Sequence, residues 1–72
     1  MQEIYEMIIG HIKTLCDEAG WSNYQLAKYS GLPQSTLSNI MRGRNKISLD
    51  SLIKICNGFG KSLSEFFSEM GQ

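Results

Sequence analysis

The sequence predicts an all-α fold, a compact bundle of five short helices. Three observations carry that expectation. Apolar residues recur at three- and four-residue spacing through most of the chain. Helix-start and helix-stop residues punctuate it at short intervals. No β-branched alternation or hairpin turn competes. The 72 residues suffice for one domain, 1–72, without internal repeat, linker or low-complexity segment. The apolar content of 42 % is a globular value.

Residues 3–19 set Ile4, Ile8, Ile9, Ile12, Leu15, Cys16 and Ala19 in one stripe, the pattern of an amphipathic helix, and Gly20 ends it. Ser22 followed by Gln25 is a capping box, in which each side chain satisfies a free backbone N–H. The second helix then runs from about residue 23 to 30 and offers Leu26 and Ala27 to the core, with Gly31 at its end. Pro33 opens the third helix, whose first turn has no use for the missing N–H. Leu37 and Ile40 point inward from it, and Gly43 stops it after Arg42. A polar turn, 43–46, leads to Ser48, the expected cap of a fourth helix burying Leu49, Leu52, Ile53, Ile55, Cys56 and Phe59. Gly58 and Gly60 close that helix. A second capping box, Ser62 to Glu65, starts the fifth, with Leu63, Phe66, Phe67 and Met70.

Several function classes are excluded on composition. No apolar run approaches the ~18 residues of a membrane helix, and the acidic start with Glu3 and Glu6 is unlike a signal peptide, so a cytoplasmic chain is expected. Cys16 and Cys56 fall on apolar helix faces as reduced core thiols. Together with the lone His11, expected to be a solvated or half-buried helix residue, they lack the close spacing of a zinc site, and no metal or other cofactor is expected. One histidine, no glycine-rich phosphate loop and no carboxylate cluster leave no enzymatic site.

The formal net charge is zero, yet its distribution is uneven. Residues 1–20 sum to −3 and residues 47–72 to −1. Between them, residues 21–46 hold Lys28, Arg42, Arg44 and Lys46 and no acid, a sum of +4. A local patch of this kind, rather than the net charge, attracts phosphate.

Two helices of eight to ten residues joined by Gly31 and Leu32 must cross steeply, the geometry of a helix-turn-helix over residues 23–42. Ala27 supplies the small residue such a close crossing needs. Leu37 packs the third helix back on the second, with Leu26 and Ile40 completing the contact. The stretch from Asn23 to Gly43, NYQLAKYSGLPQSTLSNIMRG, with ISLDSLIKI and SLSEFF downstream, resembles the Cro/C1-type (XRE-type) helix-turn-helix proteins, repressors of bacteria and their phages. The resemblance spans residues 5–68. It implies the five-helix, lambda-repressor-like DNA-binding fold and a sequence-specific transcription regulator, a repressor, bound to double-stranded DNA.

The resemblance also implies that the helix over 34–42 lies in the major groove with Gln34, Ser35, Ser38 and Asn39 on base edges. Their amides and hydroxyls suit that task, because an amide can pair two-pronged with adenine. Phosphate contacts are expected from Asn23 and the amides at the start of the second helix, and from Arg42, Arg44, Asn45 and Lys46. Arg42 has a second role open to it, balancing the helix dipole. Lys28 either touches the backbone or stays solvated. Tyr24 and Tyr29 either reach phosphate or pack on the first helix. Where the family commonly has Gln, this chain has Asn23, one methylene shorter in its reach toward Gln34.

A homodimer on two half-sites is expected, with Phe59, Phe66, Phe67 and Met70 as its candidate apolar face and core packing the role of at least two of them. The alternative function is a protein-interaction module, an antitoxin-like partner of a toxin or an antirepressor.

Overall fold

Three of the helices begin at a serine cap, and a glycine lies at or just past the end of every described helix. The computed structural model describes residues 2–71. Its elements are α1 (Gln2–Ala19), α2 (Asn23–Ser30), α3 (Gln34–Met41), α4 (Leu49–Gly58) and α5 (Leu63–Met70). The bundle measures 28 × 24 × 21 Å. Helix α2 packs on both α3 and α4, and α5 closes the bundle against α1 and α4.

The caps follow the sequence closely. Ser22 Oγ accepts from Gln25 N while Gln25 Oε1 accepts from Ser22 N, at 3.3 and 2.9 Å. Ser62 and Glu65 repeat the box at 3.1 and 2.8 Å. Ser48 Oγ accepts from Ser51 N at 3.1 Å and starts α4. Pro33 differs from the expectation. It occupies the cap position before α3, with φ −59° and ψ 141°, not the first helical turn. Its carbonyl accepts the first helical bond, from Leu37 N at 3.1 Å. Helix α3 also ends one residue early, at Met41, with Arg42 as its cap.

The core gathers Ile8, Ile12, Leu15, Cys16, Leu26, Ala27, Leu37, Ile40, Met41, Ile47, Leu52, Ile55, Cys56 and Phe66. Four residues expected inside are exposed: Ile4, Ala19, Leu49 and Ile53. The reasons are geometric. Helix α1 has 18 residues and is therefore about 27 Å long, so its ends overhang partners half that length. Leu49 stands in the first turn of α4, and Ile53 lies about 100° round the helix from buried Leu52. Two core residues, Met41 and Ile47, flank the polar turn and were not expected inside.

His11 has a partner rather than open solvent. Its Nε2 lies 3.0 Å from Glu69 Oε1, and its ring meets Phe66 edge-on at 4.8 Å. Lys61 Nζ donates to the other oxygen of Glu69 at 2.7 Å. Hydrogen bonds from Lys61 and His11 hold the Glu69 carboxyl below the usual carboxylate range, and the same Lys61–Glu69 bond holds the Lys61 ammonium above its ordinary value. This three-membered cluster joins α1, α5 and the α4–α5 turn. Burial pushes the Cys16 and Cys56 thiols up, helped by Asp17 and Glu69 respectively, so both stay protonated in the core.

Candidate nucleic-acid interface

The turn between α2 and α3 is fixed by backbone chemistry. Gly31 takes φ 74°, a left-handed conformation that a Cβ would strain. The Leu32 amide then bonds back to Ala27 O at 3.1 Å, which ends α2 and swings the chain into Pro33. Ala27 is buried at 4 % exposure, as a close crossing requires.

Helix α3 is divided between core and solvent. Leu37, Ile40 and Met41 are buried. Gln34 and Ser35 are exposed, and Thr36, Ser38 and Asn39 are half-buried at the margin. The amides and hydroxyls singled out in the sequence therefore sit at or near the surface of α3, and none is sealed inside.

The cationic turn is tied to the same helix. Arg42 N donates to Ser38 O and Arg44 N to Asn39 O, each at 3.0 Å, and Gly43 adopts φ 77° between them. Arg42, Arg44, Asn45 and Lys46 are all exposed, while Ile47 plugs the end of the turn into the core. Asn23 and Lys28 are exposed on α2. The capping box engages Gln25 N, so the amides of Asn23 and Tyr24 remain at the open end of α2. Among the described residues, no ion pair engages Lys28, Arg42, Arg44 or Lys46, and no hydrogen bond joins Asn23 to Gln34.

Tyr29 is half out in solvent and also packs on Trp21, with ring centroids 4.7 Å apart. Trp21 in turn stacks on Phe59 at 4.9 Å and 11°. Tyr24 stays 61 % exposed. This aromatic row was not legible from spacing, because Trp21 lies in the α1–α2 turn and its partners are on α2 and past α4.

The four apolar residues named for a dimer face divide between core and surface. Phe66 is fully buried, clasped edge-on by His11 and Phe67, and belongs to the core. Phe59 is half-buried under Trp21. Phe67 is 39 % exposed and Met70 half-buried, so these two remain of the four.

A short bent helix pair, an uncharged polar surface on the second helix and unpaired cations hooked to its end define a DNA-binding regulator of the helix-turn-helix class. A family model described as helix-turn-helix matches residues 12–66, and the chain belongs to that Cro/C1-type (XRE-type) family. Among solved structures, the wild-type restriction-modification controller protein C.Esp1396I is similar, at 27 % identity and a TM-score of 0.83 over 92 % of this chain and 85 % of that one. No curated protein matches significantly. Among the described residues, no helix is long and apolar enough to cross a membrane.

Proposed function

We propose that this chain is a transcriptional repressor that binds a palindromic site on double-stranded DNA as a two-fold dimer, with α3 in the major groove. Gln34, Ser35, Ser38 and Asn39 read base edges in this scheme. Asn23, Lys28, Arg42, Arg44, Asn45 and Lys46 grip the flanking phosphates. The observation that carries the reading is the division of α3: its aliphatic residues are buried while its amides and hydroxyls border solvent, next to a turn of unpaired cations. The likeness to a restriction-modification controller supports a regulatory role.

Dimerisation follows from the size of the surface. One short helix reads only a few base pairs, and four cations give a small counterion contribution. Two copies double both. About 8 phosphate contacts in the dimer would give log K a slope of roughly −7 against log salt. Phe67 and Met70 on α5 are the assigned contact.

Selection of bound sites from a random DNA pool tests the scheme. The expected product is an inverted repeat with half-sites about one helical turn, roughly 34–36 Å, apart. A single unrepeated motif would sink the dimer, and no retention of DNA at either low or moderate salt would favour the protein-interaction module instead.

A further inference from the structure

We propose that Tyr5 of α1 is a positioning residue for DNA binding, holding Lys46 in reach of a phosphate; the proposal rests on the reading of Lys46 as a phosphate contact. Lys46 Nζ lies 5.6 Å from the centroid of the Tyr5 ring. That is within the range at which the negative face of an aromatic ring attracts an ammonium. Tyr5 is half-buried and packed on the core, so the platform is itself fixed. Lys46 is exposed, so its charge faces solvent as well as the ring.

The turn needs such a tether. Its first part is held by the amides of Arg42, Gly43 and Arg44, which bond to Ser38, Ile40 and Asn39. Past Arg44, among the described residues, backbone bonding within the turn stops until Ser48 begins α4. Buried Ile47 is one anchor there. A surface groove of about 320 Å³ beside the turn is lined by Glu6, Ile9, Gly10 and Lys13 of α1 and by Met41, Arg42 and Gly43. Tyr5 directly precedes the first of these groove residues and reaches the turn through Lys46.

The contact leaves the ammonium competent to bind. The ring attracts the charge without taking a hydrogen-bond acceptor's place, so N–H donors remain for a phosphate oxygen. What the ring restricts is the swing of the four-carbon stem. A lysine already confined loses less rotamer freedom when DNA arrives. The effect falls on all sequences alike, since phosphate contacts position a protein and do not select bases.

The test compares Tyr5→Phe, Tyr5→Leu, Lys46→Gln and the double variant Tyr5→Leu/Lys46→Gln for binding to a random-sequence duplex at fixed low salt. Proton NMR of the Lys46 ε-methylene in the free protein runs alongside. Tyr5→Phe keeps a ring face and should match wild type. Tyr5→Leu should bind about two- to fivefold more weakly and lose the upfield ring-current shift at Lys46. In the Lys46→Gln background, Tyr5→Leu should change nothing further. If Tyr5→Leu fails to fold, pentafluorophenylalanine in place of Tyr5 keeps the shape but removes the negative face, and the same loss is expected. Unchanged affinity in the variant that folds, an equal loss in the Lys46→Gln background, or tighter binding by Tyr5→Leu overturns the positioning role while leaving Lys46 as a phosphate contact. No effect of Lys46→Gln overturns both.

Discussion

Replacing the last residue of α4, Gly58, with alanine should destabilise the fold, although alanine is the better helix former. A Cβ at position 58 would meet Ser30 Oγ at 3.0 Å, Ser30 N at 3.3 Å and the carbonyl carbon of Tyr29 at 3.3 Å. The hydroxyl can rotate away, but the two backbone atoms belong to α2 and cannot. Helices α2 and α4 must therefore part by a few tenths of an ångström. Overpacking of this kind costs about 1–3 kcal/mol, and the helix preference for Ala over Gly returns at most about 0.5–1 kcal/mol. The net loss of about 0–2.5 kcal/mol should lower Tm by up to about 10–20 °C in a domain of this size. Gly10→Ala is the matched control. Gly10 sits inside α1 with nothing within 4 Å of a new Cβ, so the change should stabilise by about 0.5–1 kcal/mol. Ser30→Ala tests the contact from the other side, because the buried Ser30 Oγ has no hydrogen-bond partner among the described residues. It should be neutral or stabilising alone, and should recover part of the loss in Gly58→Ala. Thermal and urea unfolding followed by circular dichroism compares the four variants with wild type. If Gly58→Ala and Gly10→Ala shift Tm in the same direction, the close approach of α2 and α4 is not what governs position 58.

Gln34→Ala should relax preference at one base position and cost about 1–3 kcal/mol on the best site, measured by repeating the selection and titrating the winning duplex. Arg44→Ala should weaken every sequence alike and lower the salt slope by about 1, read from binding isotherms across a salt series. Glu69 has a lowered native pKa, so its contribution is present above its unfolded value of about 4.3 and is lost as pH falls through the native value. Lys61 has a raised native pKa, so its contribution is lost only as pH rises beyond about 10.4. Unfolding midpoints across pH should accordingly show a smaller acid-side decline in Glu69→Gln than in wild type. Phe67→Glu should shift the protein toward monomer in sedimentation equilibrium with the helical spectrum retained.

What was legible in the sequence was local. Ser22 with Gln25 and Ser62 with Glu65 place helix starts within a few residues, because both partners of each hydrogen bond lie in one turn. The turn glycines 31 and 43 declare themselves because left-handed backbone favours glycine. What was not legible depends on the rest of the molecule. Phe66 and Phe67 are adjacent in one apolar stretch, and only the position of α1 decides that the first is enclosed while the second faces out. Gly58 reads as a helix stop, yet its job is to admit α2. His11 and Glu69 are 58 residues apart, so no local pattern announces their pairing. In α3 the polar surface was legible because Leu37 and Ile40 fix the buried side, and the helical period assigns the rest. Tyr5, by contrast, reads as one more residue of an amphipathic helix.

The zero net charge deserves a physical answer, since a polyanion should be indifferent to a neutral protein. The structure resolves this by pairing. Lys61 is engaged by Glu69, and Lys54 lies 3.9 Å from Asp50 one turn away. Those pairs remove two cations from the C-terminal half, while Lys28, Arg42, Arg44 and Lys46 keep no acidic partner among the described residues. Of the exposed acids, Glu3, Glu6, Asp17 and Glu18 lie on α1, Asp50 lies on α4 beside Lys54, and Glu65 and Glu69 lie on α5. The molecule therefore keeps an acid-free cationic turn for a duplex, with Glu6 of α1 across the groove from Arg42 as the nearby opposing charge. Counterion release depends on the phosphates actually neutralised, not on the protein's total charge. Replacing Glu3 and Glu18 with Gln should thus raise the overall affinity for DNA and speed association, yet leave the salt slope where it was. A slope that tracked net charge instead would mean that binding is diffuse, with no fixed set of phosphate contacts around α3.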